Sequence, residues 1–269
     1  MASPLISSLS LPLILGSFDP SGASNLPADA VICAQLGLHA CSVVTAILAQ
    51  DTSGIQSVQR ISPEFIDEQA RCLLEDMAIG AIKIGPQYDP ETIATLAQLA
   101  ADYSTLPLVL HLTRPPDVPD LDDLDAEDTV GALLDLLVPQ AHILVLNASQ
   151  PEHWASQGLL SETRADSPIQ ALLELGASHV LCCHFSPGTD GPGLSWHSQD
   201  QASQRWPLPT SPVRATDRES LLATLLTYHL AQGLTPEAAV QQAAGQAGHM
   251  LTHTFHPGMG QQILRFTTP

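Results

Sequence analysis

Basic residues are scarce in this chain. Its 269 residues include nine Lys and Arg against 28 Asp and Glu, which gives a formal net charge of −19, and the single lysine is Lys83. Such a surface repels phosphate backbones and anionic membranes, which argues against nucleic acid or a membrane as a partner. An acidic, lysine-poor surface is also typical of adaptation to high salt, which screens repulsion between acids. An ordinary acidic cytoplasmic protein explains the composition equally well.

Aromatic residues and long apolar runs are also few. Aromatics make up 4% of the chain and all hydrophobic residues 44%, so Leu, Ala, Val and Ile must build the core. No apolar run reaches the roughly 18 residues that a membrane helix needs. The apolar opening lacks the basic start of a signal peptide. The five cysteines show neither metal nor disulfide spacing, which predicts a reducing, cytoplasmic location.

Short β-branched runs alternate with stretches rich in alanine and leucine. This alternation predicts an α/β fold, a mostly parallel sheet covered by helices on both faces. Candidate strands are 11–16, 41–48, 79–84, 106–112, 142–146 and 179–183. Candidate helices are 27–37, 63–76, 90–102, 126–138, 168–175, 219–231 and 236–254, with starts marked at Ser62-Pro63 and Thr235-Pro236 and an end at Gly233. No linker-like stretch interrupts the pattern, so we expect one domain over residues 1–269.

Two segments are predicted to be loops. Residues 185–214 are rich in Pro, Gly and Ser. Residues 114–128 hold seven acids. The acidic segment lacks the glycine and the regular ligand spacing of a calcium loop, so a solvated surface is the favoured interpretation.

The most distinctive motifs lie in residues 13–61. An apolar run ends in GSFDPSG at 16–22, GASNLPAD follows at 22–29, and the strand-like CSVVTAIL at 41–48 leads to Gln50-Asp51. This string strongly resembles the start of the bacterial hydroxymethylpyrimidine/phosphomethylpyrimidine kinases. Those proteins are members of the ribokinase superfamily that phosphorylate the thiamine pyrimidine with ATP. The resemblance implies a ribokinase-like three-layer α/β/α sandwich, ATP and Mg²⁺ as cofactors, and a homodimer.

The resemblance also implies a substrate pocket at the carboxyl ends of the first strands. A carboxylate and an amide suit an aminopyrimidine, whose edge presents both donors and acceptors. Taken singly, Asp19 is equally explained as the start of a turn and Asp29 as a helix cap. The substrate positions implied by the resemblance are Asp19, Gly22, Ser24, Asp29, Gln50, Gly85 and Pro86.

Most nucleotide positions of the family depart from its pattern in this chain, although Asn147 is kept. They fall on His111, Asn147, Gln150 and Cys183, and on Thr216, Asp217, Arg218 and Glu219. Gln150 replaces an acid that organises Mg²⁺, and Glu219 takes the place of a cysteine at the reacting centre. Thr216 and Glu219 also have the spacing of a capping box, which predicts that side chains occupy the N–H groups that hold phosphate. The carboxylate of Asp217 adds further repulsion.

The sequence is compatible with two functions. One is an active kinase for the pyrimidine, and the other is a non-catalytic pyrimidine-binding paralog, which the losses on the nucleotide side favour. A kinase for a different small alcohol is less favoured, because Asp29 and Gln50 are retained. A histidine string, His249, His253 and His256 with His229 nearby, admits a metal site, but solvent-exposed histidines are the favoured interpretation and no metal site is predicted.

Overall fold

The computed structural model describes residues 10–116, 118–121, 126–160, 165, 167–185, 191–199 and 201–266. The strands within these ranges are β1 (Leu11–Phe18), β2 (Cys41–Gln50), β3 (Ile55–Arg60), β4 (Ile79–Ile84), β5 (Leu108–His111), β6 (Ile143–Asn147), β7 (His179–His184), β8 (Gly193–Ser198), β9 (Gln204–Pro207), β10 (Thr254–Phe255) and β11 (Ile263–Leu264). The α-helices are α1 (Asn25–Gln35), α2 (Pro63–Asp76), α3 (Pro90–Asp102), α4 (Ala126–Ala132), α5 (Gln150–Ser156), α6 (Pro168–Glu174), α7 (Ala215–Ala231) and α8 (Pro236–Met250).

The first nine strands form one sheet in the order β3-β2-β1-β4-β5-β6-β7-β8-β9. The strands from β2 to β7 in this order pair in parallel. Strands β3, β8 and β9 join antiparallel at the two edges. Because the central strands are parallel, their carboxyl ends share one edge of the sheet, where ligands bind in folds of this kind.

Helices cover both faces of the sheet. Helices α1, α7 and α8 pack on one face, and α2, α3, α4 and α6 pack on the other. Strand β6 shows the consequence, because Leu144 and Leu146 join one hydrophobic cluster whereas Ile143 and Val145 join the opposite one. The predicted three-layer α/β/α sandwich with a mostly parallel sheet is confirmed. Its extent as one domain over residues 1–269 stays a prediction.

Several predicted boundaries are confirmed. Ser62 is the N-cap of α2, and its side chain accepts a hydrogen bond from the Phe65 N–H. Thr235 is the N-cap of α8, and its side chain accepts a hydrogen bond from the Ala238 N–H. Gly233 follows α7 with a φ of 81°, a backbone conformation that glycine adopts without strain. Local capping chemistry therefore fixed these ends.

Other predictions need correction. The supposed loop 185–214 contains β8 and β9, a polar hairpin without the long apolar run that would have marked it. The supposed helix 126–138 is α4 followed by a π-helical segment, Leu133–Leu137. Helix α7 begins at Ala215 instead of 219, and α5 and β3 were not predicted. Of the two predicted loops, residues 117, 122–125, 186–190 and 200 lie outside the described residues.

None of the helices in the described ranges is long and apolar enough to cross a membrane.

Candidate functional site

Asp19 organises the turn that follows β1. Its carboxylate is fully buried, and Oδ1 accepts hydrogen bonds from the N–H and the hydroxyl of Ser21 at 2.8 and 2.7 Å. Oδ2 accepts from the Ser24 N–H at 3.1 Å and from Gln50 Nε2 at 2.9 Å. Gly22 completes the turn with a φ of 68°, which a side chain would strain. Asp19 is thus both the turn former that the sequence allowed and the partner of Gln50.

Gln50 ends β2 at the carboxyl edge of the sheet and is half-buried. Its amide nitrogen donates to Asp19, which fixes the orientation of the side chain. No described group donates to its Oε1. An oriented amide with a free oxygen can accept a hydrogen bond from a ring amino group.

The loop after β4 lies close to β1. The Gly85 N–H donates to the Leu15 carbonyl at 2.8 Å, and a Cβ on Gly85 would lie 3.7 Å from the Gly16 Cα. Pro86 is half-buried next to it. Tyr88 forms a hydrogen bond of 3.0 Å with the Ser17 hydroxyl, and burial raises the pKa of Tyr88 to about 12. The phenol therefore stays neutral at physiological pH.

Asp29 lies in a buried polar cluster beneath the edge of the site. Both of its carboxylate oxygens accept hydrogen bonds from Lys83 Nζ, at 2.9 and 2.8 Å, and the Thr224 hydroxyl donates to it at 2.6 Å. Lys83 Nζ also reaches the Ser220 hydroxyl at 3.0 Å. This placement differs from the expected contact with a ligand, because Asp29 is only 1% exposed and both oxygens are engaged inside the protein.

The predicted capping box at the start of α7 is wrong. The N-cap residue is Arg214, with no side-chain cap hydrogen bond, and Thr216 lies inside the helix with its side chain exposed. Because α7 begins earlier than predicted, Thr216 does not lie at the capping position. Consequently no described side chain occupies the N–H groups of Ala215, Thr216 and Asp217.

The Glu219 carboxylate turns inward from α7 and joins two strand-end residues. Asn147 Nδ2 donates to its Oε1 at 3.1 Å, and His111 Nε2 lies 3.4 Å from its Oε2. Glu219 and His111 are 1% and 2% exposed. Cys183 pairs with Asn147 in the sheet, and burial, with the nearby Glu219 charge, raises the pKa of its thiol well above the usual value. Thus several of the predicted nucleotide positions converge, and Asn147 and His111 both contact the Glu219 carboxylate.

Two arginines flank the same helical turn. Arg214 Nε donates to the Asp217 carboxylate at 3.0 Å, and the Arg218 guanidinium stacks 3.8 Å from the centre of the Phe185 ring. Burial raises the pKa of Asp217, whereas Arg214 and a hydrogen bond from Ser24 oppose that rise. Because Ser24 also bonds to Asp19, polar contacts connect Gln50 to the first turn of α7.

Gln150 holds the chain that leaves β5. With its amide oriented to satisfy both groups, the nitrogen donates to the Leu112 carbonyl at 3.1 Å and the oxygen accepts from the Arg114 N–H at 2.8 Å. Both amide atoms thus bond to the main chain.

The residues present fit ATP only in part and do not fit Mg²⁺. The open N–H groups of α7 and Arg218 suit phosphate, but Asp217 and Glu219 place two carboxylates in the same turns. For Mg²⁺, the Glu219 carboxylate is closed off by Asn147 and His111. Across the described residues, no group of three or more His, Cys, Asp or Glu side chains could hold a metal ion.

Two rings of the histidine string contact each other. The His249 and His253 rings lie 4.7 Å apart, while exposed His256 bonds to Gln262. The expectation of solvent exposure is wrong for His229, which is 7% exposed and bonds to Gln246 at 2.8 Å.

Sequence reasoning missed the partners that fix the site. It did not pair Lys83 with Asp29, although each interrupts an apolar segment and opposite charges in such settings pair when buried. Arg214, which lies before the helix that the sequence predicted, left no comparable signal.

A family model described as phosphomethylpyrimidine kinase matches residues 19–265. The hydroxymethylpyrimidine/phosphomethylpyrimidine kinase of Escherichia coli is 30% identical over 176 residues, which is 63% of each chain. The protein of the same name from Salmonella typhimurium is 27% identical over 241 residues, covering 84% of this chain and 86% of that protein. The first match thus spans less than two thirds of its relative.

Solved structures share the fold. A phosphomethylpyrimidine kinase from Clostridium difficile superposes with a TM-score of 0.69 at 21% identity, over 88% of this chain and 99% of that one. An ADP complex of Bacillus subtilis pyridoxal kinase superposes with a TM-score of 0.78 at 16% identity, over 96% and 97%. The implied ribokinase-like fold is confirmed.

Proposed function

The chain belongs to the phosphomethylpyrimidine kinase family, and on that premise we propose that it binds the aminopyrimidine of thiamine biosynthesis without phosphorylating it. Binding would take place at the carboxyl ends of β1, β2 and β4. Pyrimidine kinases of thiamine biosynthesis are the relatives on which the proposal draws. A cytoplasmic location and a homodimer stay predictions.

The oriented amide of Gln50 supports the binding half of the proposal. Asp19 holds its nitrogen at 2.9 Å, so its oxygen is available without further loss of side-chain freedom. Gly22 and Gly85 keep the neighbouring turns free of side chains. In this proposal Asp29 does not contact the ligand. Its ion pair with Lys83 anchors α1 to β4.

The buried Glu219 carboxylate is the observation that carries the loss of phosphoryl transfer. Transfer depends on donors and cations that stabilise negative charge on the phosphoryl group. Glu219 adds negative charge beside the first turn of α7, and its bonds to Asn147 and His111 hold it there. Gln150, which occupies the position of the metal-organising acid, braces the main chain instead.

A second candidate, the active kinase, is favoured by a different observation. The N–H groups of residues 215–217 bond to no described side chain, and Arg214 and Arg218 bring two cations to the same turn. These groups suit an anionic ligand. The two candidates differ in ATP turnover and agree on pyrimidine binding.

The binding half is tested by calorimetry with hydroxymethylpyrimidine. We expect heat of binding at millimolar ligand or below, and the Gln50→Ala variant should weaken binding about fivefold, since one hydrogen bond contributes about 1 kcal/mol. Gln59→Ala, which alters an exposed glutamine on β3, is the matched control and should bind as the parent does. Absence of heat from the unchanged protein would contradict the proposal.

The catalytic half is tested by following ADP release and pyrimidine phosphate. We expect no turnover above background, because the buried Glu219 carboxylate opposes the negative charge of the phosphoryl group and Gln150 stands where the family has the metal-organising acid. Replacing residues 216–219 by Gly-Thr-Gly-Cys should not restore turnover, because His111, Gln150 and Cys183 remain. Conversion of the pyrimidine at a rate comparable to the Escherichia coli relative would establish the active kinase instead.

A further inference from the structure

A cavity of about 400 Å³ lies between the C-terminal end of α1, helix α8 and the segment that follows β11. It shares no residue with the candidate site described above. Its volume falls within the range of about 300–1,000 Å³ that is typical of small-molecule pockets. The cavity is therefore large enough for a ligand of the size of a substituted double ring.

The charge of this cavity is opposite to that of the molecule. None of the described residues that line it is Asp or Glu. Three lining residues are basic, namely Arg265, His249 and His253. The Arg265 side chain forms no ion pair with any described carboxylate. In a chain with a net charge of −19 and nine basic residues, an unpaired arginine beside two imidazoles is a local exception. Such a group of donors favours a negatively charged partner.

The remaining lining residues are apolar or carry neutral amides. Leu36, Met250, Leu264 and Phe266 supply the apolar surface, and glutamines of α8 supply amide donors and acceptors. An apolar lining combined with a few convergent polar groups is the usual composition of a small-molecule site. The net charge of −19 disfavours a large polyanion, which the molecule as a whole would repel.

We propose that this cavity binds a small organic monoanion with an apolar ring or chain as its body. The anionic group contacts Arg265 and the imidazoles of His249 and His253, and the apolar body lies against Leu264 and Phe266. The proposal is independent of pyrimidine binding, since the two sites share no residue.

The probe is 1-anilinonaphthalene-8-sulfonate, an aromatic monoanion whose fluorescence rises in apolar surroundings. The unchanged protein should bind it with a stoichiometry of one and a Kd on the order of 10–100 μM, as expected for a ligand of this size. The neutral N-phenyl-1-naphthylamine has nearly the same apolar body and serves as the uncharged comparison. Absence of saturable binding, or several equal sites, would overturn the proposal.

Gly245→Leu tests the location. Gly245 lines the cavity, and a Cβ added there meets nothing within 4 Å, so the larger side chain occupies the cavity without a clash at its base. Because leucine is a better helix former than glycine, the variant should fold at least as stably as the parent. We expect its affinity for the sulfonate probe to fall at least about tenfold.

Gly131→Leu is the matched control, because Gly131 lies in helix α4, and its Cβ position is equally open. It should leave probe binding unchanged. Equal affinity of the Gly245→Leu variant and the parent would overturn the location.

Arg265→Gln tests the charge. Loss of the guanidinium should weaken binding of the sulfonate probe about three- to tenfold, since a charge-assisted hydrogen bond is lost. Binding of the neutral probe should not change. An equal effect on both probes, or no effect on either, would overturn the assignment of an anion.

Discussion

Lys83, the only lysine, joins three elements of the fold at one point. It lies on β4 and its Nζ contacts Asp29 on α1 and the hydroxyls of Ser220 and Thr224 on α7. Removing both charges from water is unfavourable, and the additional hydrogen bonds offset that loss. The cluster thus fixes the two helices that flank the site, and its net effect is positional.

Lys83→Met is predicted to destabilise the protein strongly. Removing one member leaves the Asp29 carboxylate buried without its cation, which typically lowers the free energy of unfolding by about 3–5 kcal/mol. Urea denaturation followed by circular dichroism measures the change. The double variant Lys83→Met with Asp29→Leu should recover part of the loss, because no charge is left unpaired. A single variant as stable as the parent would contradict this account.

The sequence predicted some site residues better than others. Asp19 and Gln50 follow adjacent parallel strands, so their proximity could be inferred from topology alone. The inward direction of Glu219 could not, because it depends on where α7 begins. Capping preference pointed to Thr216, whereas the chain enters the helix at Arg214, whose neighbour Val213 forms a β-bridge with Gln262 near the C-terminus. A contact so distant in sequence has no local signal.

The C-terminal segment 258–262 links the two halves of the site. The Gln261 N–H donates to the Thr52 carbonyl at 2.8 Å and the Gly260 N–H donates to the Thr52 hydroxyl at 3.0 Å. Thr52 follows Gln50 by two residues, and Gln262 bridges to Val213 before α7. This segment therefore braces the turn beside the proposed pyrimidine site and the approach to α7 together.

Gly260→Ala is predicted to weaken this brace. A Cβ there would collide with the Thr52 main chain, and overpacking of this kind typically lowers stability by about 1–3 kcal/mol. Thermal unfolding measures the loss. Gly258→Ala offers the comparison, because its Cβ would meet the Thr52 side chain, with the hydroxyl at 2.8 Å. Thr52→Ala should therefore relieve Gly258→Ala and leave the effect of Gly260→Ala in place, and equal relief of both would contradict the geometry.

The contact between α7 and α8 is predicted to depend on pH. Burial lowers the pKa of His229, and its hydrogen bond to Gln246 opposes that shift only in part. Between the folded pKa and the unfolded value of about 6.5, the unfolded chain binds more protons, so stability rises with pH through this window. Stability is thus lost as pH falls from 7 towards 5.

The variant His229→Gln isolates this contribution. His142 and His197 have pKa values lowered in the same direction, so the parent and the variant should both lose stability on acidification. The variant should lose less, because one titrating group is absent. Urea denaturation at pH 7, 6 and 5 gives the two slopes, and identical slopes would contradict the prediction.

At the scale of elements, hydrophobic patterning predicted the parallel core and missed the edges. Strands β1, β4 and β6 are mostly apolar along their length because both of their faces are covered. Strands β8 and β9 instead carry mostly polar residues, and the buried Leu194 and Trp196 are the two large apolar positions of β8. Strand β8 pairs with β7, and β9 pairs with β8, through main-chain hydrogen bonds, which leave little trace in composition.

The charge of the whole molecule leads to the last prediction. With 28 acids and nine bases, most carboxylates have no basic partner, and repulsion between them opposes the compact state. Where a base is present it is shared, as Arg71 is between Asp67 and Asp102. Salt screens repulsion between exposed charges, with a Debye length that falls from about 30 Å at 0.01 M to about 3 Å at 1 M.

The melting temperature should therefore rise between about 0.01 and about 1 M NaCl, the range over which the Debye length falls about tenfold. Surface ion pairs weaken over the same range, but exposed pairs contribute only about 0–1 kcal/mol each and are few here. Sorbitol at equal osmolality is the control, since it favours compact states through exclusion from the surface without screening charge. A rise in NaCl that exceeds the rise in sorbitol assigns the effect to charge. If NaCl leaves the melting temperature unchanged or lowers it, repulsion between the acids does not limit stability, and the interpretation as salt adaptation fails.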